Sequence, residues 1–276
     1  MPTSDRNARL VALVDAGDAE GLRAALAALS PDARAQFFKG SLPLHRAAQE
    51  GRREAVEALL AGGADPDARG DFGWSPLHEA ASGGHRSVVD VLLAAGADIT
   101  ARNSYGSRPL HCAAQGGRRE AVEALLAGGA DPEARDDYGW SPLHSAAQEG
   151  RREAVEALLA GGADPDARDD YGWSPLHSAA QEGRREAVEA LLAGGADPDA
   201  RDDYGKAEGS RGRRQCFDHY FCSCCFYYYF CCCSFCCICY CYHYYYYHFH
   251  YFLTIIIITI ISIVSFIIIV VFCCFY

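Results

Sequence analysis

The chain has 276 residues, a formal net charge of −11 with 25 Lys and Arg against 36 Asp and Glu, and 14 cysteines. This acidic balance argues against nucleic acid as the main partner, because phosphate binding needs a Lys/Arg surface, and here each Arg stands close to an Asp or Glu. The averages also hide two unlike sequences, since residues 1–205 hold one cysteine, Cys112, and residues 216–276 hold the rest with most of the Tyr, Phe and Ile.

The opening MPTSDRNARLVALVDAGDAEG has charges on both sides of a short apolar run, so it does not read as a secretory signal. The lone cysteine agrees with a reducing compartment, and the first part of the chain is expected in the cytoplasm. From Asn7 to Leu29 the chain reads as a degenerate helical unit: Gly17, Leu22 and Leu26 fall where Gly51, Val56 and Leu60 fall in the next one. Residues 1–37 are therefore expected to form an N-terminal capping repeat.

From residue 38 to 205 the triplet PLH recurs, with its histidine at His45, His78, His111, His144 and His177, a constant spacing of 33. A fixed period of this size marks a tandem array. Residues 141–172 recur letter for letter at 174–205, as recent duplication leaves them. Each unit reads as helix, turn, helix, hairpin. Ser75 can cap a first helix with Pro76 at its first position, where a missing N–H costs nothing, and Gly83 and Gly84 end it. In the second helix Ala154, Val155, Leu158 and Leu159 share one stripe, with Arg and Glu opposite at ion-pair spacing. Gly161 and Gly162 stop it. One such unit cannot bury its stripe alone, so stacked neighbours must supply the core. The expected class is an all-α repeat of five units behind a cap.

The chain resembles the ankyrin-repeat family. The resemblance rests on GxSPLHxAAxxG followed by VxxLLxxGADP, at 73–96 and more fully at 139–165 and 172–198. It covers roughly residues 5–205 and implies an ankyrin-repeat solenoid. Leu42 and Arg108 depart from it, standing where Ser or Thr is usual, and both weaken helix capping. The resemblance also implies that the repeated histidine is structural and ties a loop to its neighbouring unit. Ser141 beside His144 invites a hydrolase reading, but Ser141 is better explained as a helix cap. No Gly-rich phosphate loop, nucleophile elbow or zinc signature lies in the array. The expectation is a non-enzymatic protein with no cofactor and no metal site.

What varies between units is the hairpin tip: Asp71, Phe72 and Trp74, then Ser104, Tyr105 and Ser107, then Asp137, Tyr138 and Trp140, then Asp170, Tyr171 and Trp173. In ankyrin proteins the tips and the exposed side of the first helix line a concave groove that binds partners, and the matching helix positions are Gln148, Glu149, Gln181 and Glu182. Tyr and Trp are typical of binding hot spots, although Trp140 and Trp173 also fit a purely structural role covering the next unit. The acidic neighbours favour a protein partner carrying Lys or Arg. The repeat domain is expected to be monomeric.

After Gly205 a sixth unit would continue WSPLH, but the chain reads KAEGSRGRR and then a low-complexity run of Cys, Tyr and Phe over 206–252. Leu253 to Phe272 is apolar, uncharged and about the length of a membrane span. Three readings of this tail stand side by side. It is a C-terminal membrane anchor, which would make the protein a membrane-tethered adaptor. It is a metal-binding module built on CSCC, CCC and CCIC with His243, His248 and His250. Or it is the translation of decayed trinucleotide repeats beyond an exon end, since Gly-Lys can be encoded by a triplet pair containing GTAAG, a common start of an intron. The leading expectation is a protein-interaction scaffold.

Overall fold

A computed structural model of the chain describes residues 3–200, which form thirteen α-helices and, among the described residues, no strand. The start of a sixth unit at 201–205, the Cys-rich run at 206–252 and the apolar stretch at 253–272 lie outside the described residues.

The array opens with α1 (Thr3–Ala16), α2 (Ala19–Ala27) and α3 (Pro31–Ser41). Five helix pairs follow: α4 (Pro43–Gln49) with α5 (Arg53–Ala61), α6 (Pro76–Gly83) with α7 (Arg86–Ala94), α8 (Pro109–Gln115) with α9 (Arg119–Ala127), α10 (Pro142–Gln148) with α11 (Arg152–Ala160), and α12 (Pro175–Gln181) with α13 (Arg185–Ala193). Each first helix packs on the first helices of its neighbours, and each second helix does the same, so two layers run the length of the stack. α1 and α2 continue these layers against α4 and α5. Gly17 has φ of 69° against 67° at Gly51, and Leu22 is fully buried like Val56, as the degenerate unit requires. Leu26 is buried too, while Leu60 is only partly so. α3 takes the place of the hairpin and runs through the boundary expected at residue 37. It begins at the cap Ser30, whose Oγ accepts from the Ala33 N–H at 3.3 Å, with Pro31 behind it.

Each pair contributes one leucine per helix to a single continuous core. Leu77 with Leu92, Leu143 with Leu158, and Leu176 with Leu191 are all 0% exposed. Burying such a side chain is worth about 1.5–3 kcal/mol, which a lone seven-residue helix could not realise. On the second helix the stripe is Ala154, Val155, Ala157 and Leu158. Leu159 stands at its edge and reaches the next unit, where its Cδ1 packs over Gly194. On the outer face Arg152 Nε lies 2.8 Å from Glu156, and Arg119 reaches Glu156 of the following unit at 3.9 Å. These exposed pairs are each worth less than about 1 kcal/mol. Among the described residues no helix is long and apolar enough to cross a membrane.

Arginine stems also cross between units over glycine. Arg184 Nε donates to the Gln148 carbonyl at 3.0 Å, and a Cβ at Gly150 would stand 2.9 Å from the Arg184 Cδ. Gly150 has φ of 72°, whereas Gly162, with φ of 92°, has open space where a Cβ would go. Gly162→Ala should therefore cost only the left-handed backbone penalty, about 1–2 kcal/mol. Gly150→Ala should cost more, since the crossing must also give way. Urea unfolding of both variants checks this, and equal losses would mean that the crossing contributes nothing.

Candidate partner-binding site at the loop tips

The tips are positioned by the repeated histidine. In the second pair the Ser75 N–H and hydroxyl both reach His78 Nδ1, at 3.2 and 2.8 Å. The same arrangement holds at Ser141 with His144 and at Ser174 with His177. A ring nitrogen that accepts these donors leaves the other as N–H. His78 Nε2 accordingly donates to the Ser107 carbonyl in the next unit, at 3.1 Å. His45, His111 and His144 make the same bond to the carbonyls of Trp74, Trp140 and Trp173, each at 3.0 Å. The receiving carbonyl also closes its own tip: Asp136 N–H donates to Trp140 at 3.0 Å and Asp169 N–H to Trp173 at 2.9 Å. One oxygen thus joins a loop to itself and to the preceding unit.

The two departures act as their chemistry requires. Arg108 carries no acceptor, so only its backbone N–H reaches His111 Nδ1, at 3.2 Å. Leu42 adopts a left-handed conformation, φ 42°, and His45 Nδ1 is left buried without a partner among the described residues.

A carboxylate or amide two residues before the tip aromatic shapes the turn. Asp136 Oδ1 accepts from the N–H of Tyr138 and of Trp140, both at 2.9 Å, and Asp169 does the same for Tyr171 and Trp173 at 2.8 Å. Asn103 serves Tyr105 and Ser107. In the second pair this position is Gly70, which has no side-chain acceptor. There the tip winds into a short 3-10 turn, Asp71–Gly73, with Phe72 at φ 52°. Its ring stacks on Tyr105 at 6.3 Å. Neighbouring tips are joined through the backbone as well, Ser104 N–H to Phe72 at 2.8 Å and Asp137 N–H to Tyr105 at 3.1 Å.

The family profile described as ankyrin repeats (three copies) matches residues 11–103, 44–136 and 110–202. The chain belongs to the ankyrin-repeat family. No curated protein matches it. Ankyrin repeats are generally protein–protein interaction modules, and the proteins built from them are generally scaffolds without catalysis. The relay from histidine to tip is how this ankyrin array holds its units in register.

Of the nominated residues, the structure exposes Phe72 (52%), Tyr138 (39%) and Tyr171 (54%) with Asp71, Asp137 and Asp170 beside them. Tyr105 is half-buried in its stack with Phe72. Trp74, Trp140 and Trp173 are half-buried as well and lie over the histidines of their own units, with ring centroids 5.9, 6.3 and 6.2 Å from His78, His144 and His177. The tryptophans thus cover the relay, and the tyrosines and Phe72 are what the tips present. Gln148 and Glu149, at the end of α10, are half-buried, and Gln181 and Glu182, at the end of α12, are exposed.

Three features escape a reading of the tips alone. Arg69, Arg135 and Arg168 clamp the tips, donating to the carbonyls of Gly73, Gly139 and Gly172 at 2.9, 3.3 and 2.6 Å, and Arg102 pairs with Asp137 at 2.5 Å. These four share the period of 33 that found the histidines. Glu79, the residue after His78, is held among the first helices beside Cys112. Among the described residues no group of His, Cys, Asp and Glu is placed to hold a metal ion.

Burial sets the titration of this framework. It pushes His78 and His111 down to about 4 and lowers His45 and His144 too. The folded relay is therefore neutral, while unfolded imidazoles titrate near 6.5. Their contribution is complete above about pH 6.5 and is lost as pH falls toward 4. Glu79 has the opposite sign. Burial raises it from 4.5 to about 7, so its part is intact below pH 4.5 and is lost as pH climbs through 7. Two outcomes are expected in urea unfolding of the full chain. The midpoint should drop between pH 6.5 and 4. Glu79→Gln should stabilise the protein by about 1–3 kcal/mol at pH 8 and leave it unchanged at pH 4; a gain of equal size at both pH values would refute the desolvation of this half-buried carboxylate.

Proposed function

We propose that the array is a non-enzymatic scaffold that binds a protein partner carrying Lys or Arg, through the loop tips and the adjoining ends of the first helices. One observation carries this: Tyr138 and Tyr171 are exposed on backbones that the relay, the Asx turns and the arginine clamps hold in place, and Phe72 on one that the relay and its clamp hold. Aromatic side chains fixed before binding lose little entropy when a partner covers them. Asp71, Asp137 and Asp170 beside them, with Glu149 and Glu182 on the helices, supply the field that selects a basic partner.

The reading places the repeats in the cytosol, supported by the single cysteine of the array, Cys112, which is buried with its thiol pushed far up by desolvation. The uncharged run 253–272 favours a second reading in which the scaffold is tethered to a membrane. Detergent-dependent partition of the full chain separates the two.

Tyr138→Ala with Tyr171→Ala tests the scaffold reading. Partner capture by the full chain should fall by about ten-fold or more, as loss of two hot-spot aromatics entails. The helical circular dichroism and the urea midpoint should hold, because neither side chain enters the core. Undiminished capture of every partner by the folded variant would end the proposal.

A further inference from the structure

The last two units present one surface twice. The tip DDYGW stands at 136–140 and again at 169–173, and the helix ending SAAQEG at 145–150 and again at 178–183. Asp137, Tyr138 and Glu149 are therefore copied one unit along as Asp170, Tyr171 and Glu182. A ligand that satisfies both copies must itself repeat one chemical group at the pitch of the array.

That pitch is set by the first helices, which pack side by side along the array at about 8–10 Å. Few polymers return a side chain to one face at that step. A β-strand does so every second residue, at about 6.7 Å or 13 Å, and misses it. An α-helix returns after seven residues, at about 10.5 Å. Polyproline II returns every third residue, at about 9.3 Å.

Side-chain chemistry decides between the last two. Exposed tyrosines are the surface on which polyproline II docks, and such a chain is ordered before it binds. The acidic copies add a cation at the same pitch. Asp137 is already paired with Arg102, but among the described residues Glu149 and Glu182 make no ion pair.

We infer that this surface reads, in two registers, a polyproline II segment with Lys or Arg at every third residue. The inference rests on the reading that the tips and first-helix ends are the binding face. Labelled peptides test it by fluorescence anisotropy against the full chain. One repeats Arg-Pro-Pro, a second has the same composition with its arginines in adjacent pairs, and a third is a helix with arginine at every seventh residue. The Arg-Pro-Pro peptide should bind tighter than its isomer by on the order of ten-fold or more, since it alone engages both registers. Glu149→Gln with Glu182→Gln should remove most of that difference, with the fold checked by circular dichroism. Equal binding of the two isomers would overturn the register and leave the acidic binding face standing. Tightest binding of the helix would overturn the ligand class. No binding by any of the three would overturn this inference and the basic-partner reading together.

Discussion

The stack depends on a neutral imidazole buried between each unit and the next. It accepts from the backbone at the start of its own first helix and donates to the carbonyl that closes the following tip, as His144 does between Ser141 and Trp173. Charging that ring would place a second N–H where Nδ1 must accept and would bury a cation, which is why desolvation outweighs the hydrogen bonds in setting its pKa. One residue thus caps a helix, closes a loop and fixes the register between units. No leucine of the core has such reach, since hydrophobic contact is non-directional.

A surface that recognises a partner must be rigid before the partner arrives, and the relay is one of three devices that make it so. The aspartate two residues before Tyr138 or Tyr171 sets the turn, and an arginine holds the glycine carbonyl after it. Each device uses backbone groups that would otherwise need water, so the loops satisfy their polar atoms while leaving the aromatic ring outside. Where one device fails the conformation changes. Gly70 offers no carboxylate, and Phe72 enters the left-handed region that a bulky residue normally avoids. Its stack on Tyr105 and the bond from Ser104 N–H to its carbonyl are what hold it there.

The period of 33 in PLH placed the helices from α4 to α13, their glycine stops and the apolar stripes, because those features are local and repeat. The serine before PLH was legible as a cap and forms one, the Ser174 Oγ accepting from the His177 N–H at 3.4 Å, but the same hydroxyl also reaches the histidine ring, a partner visible only in three dimensions. Nor could the chain say that Trp140 would lean over His144 while Tyr138 pointed outward. Both are aromatic, two residues apart, and only the turn geometry separates them. α3 opens on Ser30 and Pro31, the same start signal as Ser75 and Pro76, yet a unit of helix, turn, helix and hairpin has no place for a third helix. Phe37, fully buried, marks what that helix contributes to the end of the stack.

Because the histidine reaches forward, a tip belongs to two units. The carbonyl of Trp140 is fixed by His111 of the preceding pair, and that of Trp173 by His144. The departures from the repeat, at Leu42, Gly70 and Arg108, fall in the first three pairs; Gly70 changes the turn it should have set, and Leu42 leaves His45 Nδ1 without a partner among the described residues. The last two pairs carry no departure, and both of their tips keep the bond from the preceding histidine, the aspartate turn and the arginine clamp. Duplication there copied the support along with the surface. A copied surface without its support would be a second loop of the same composition; with it, the same groups recur at a fixed step, which is the condition for reading a ligand by its spacing.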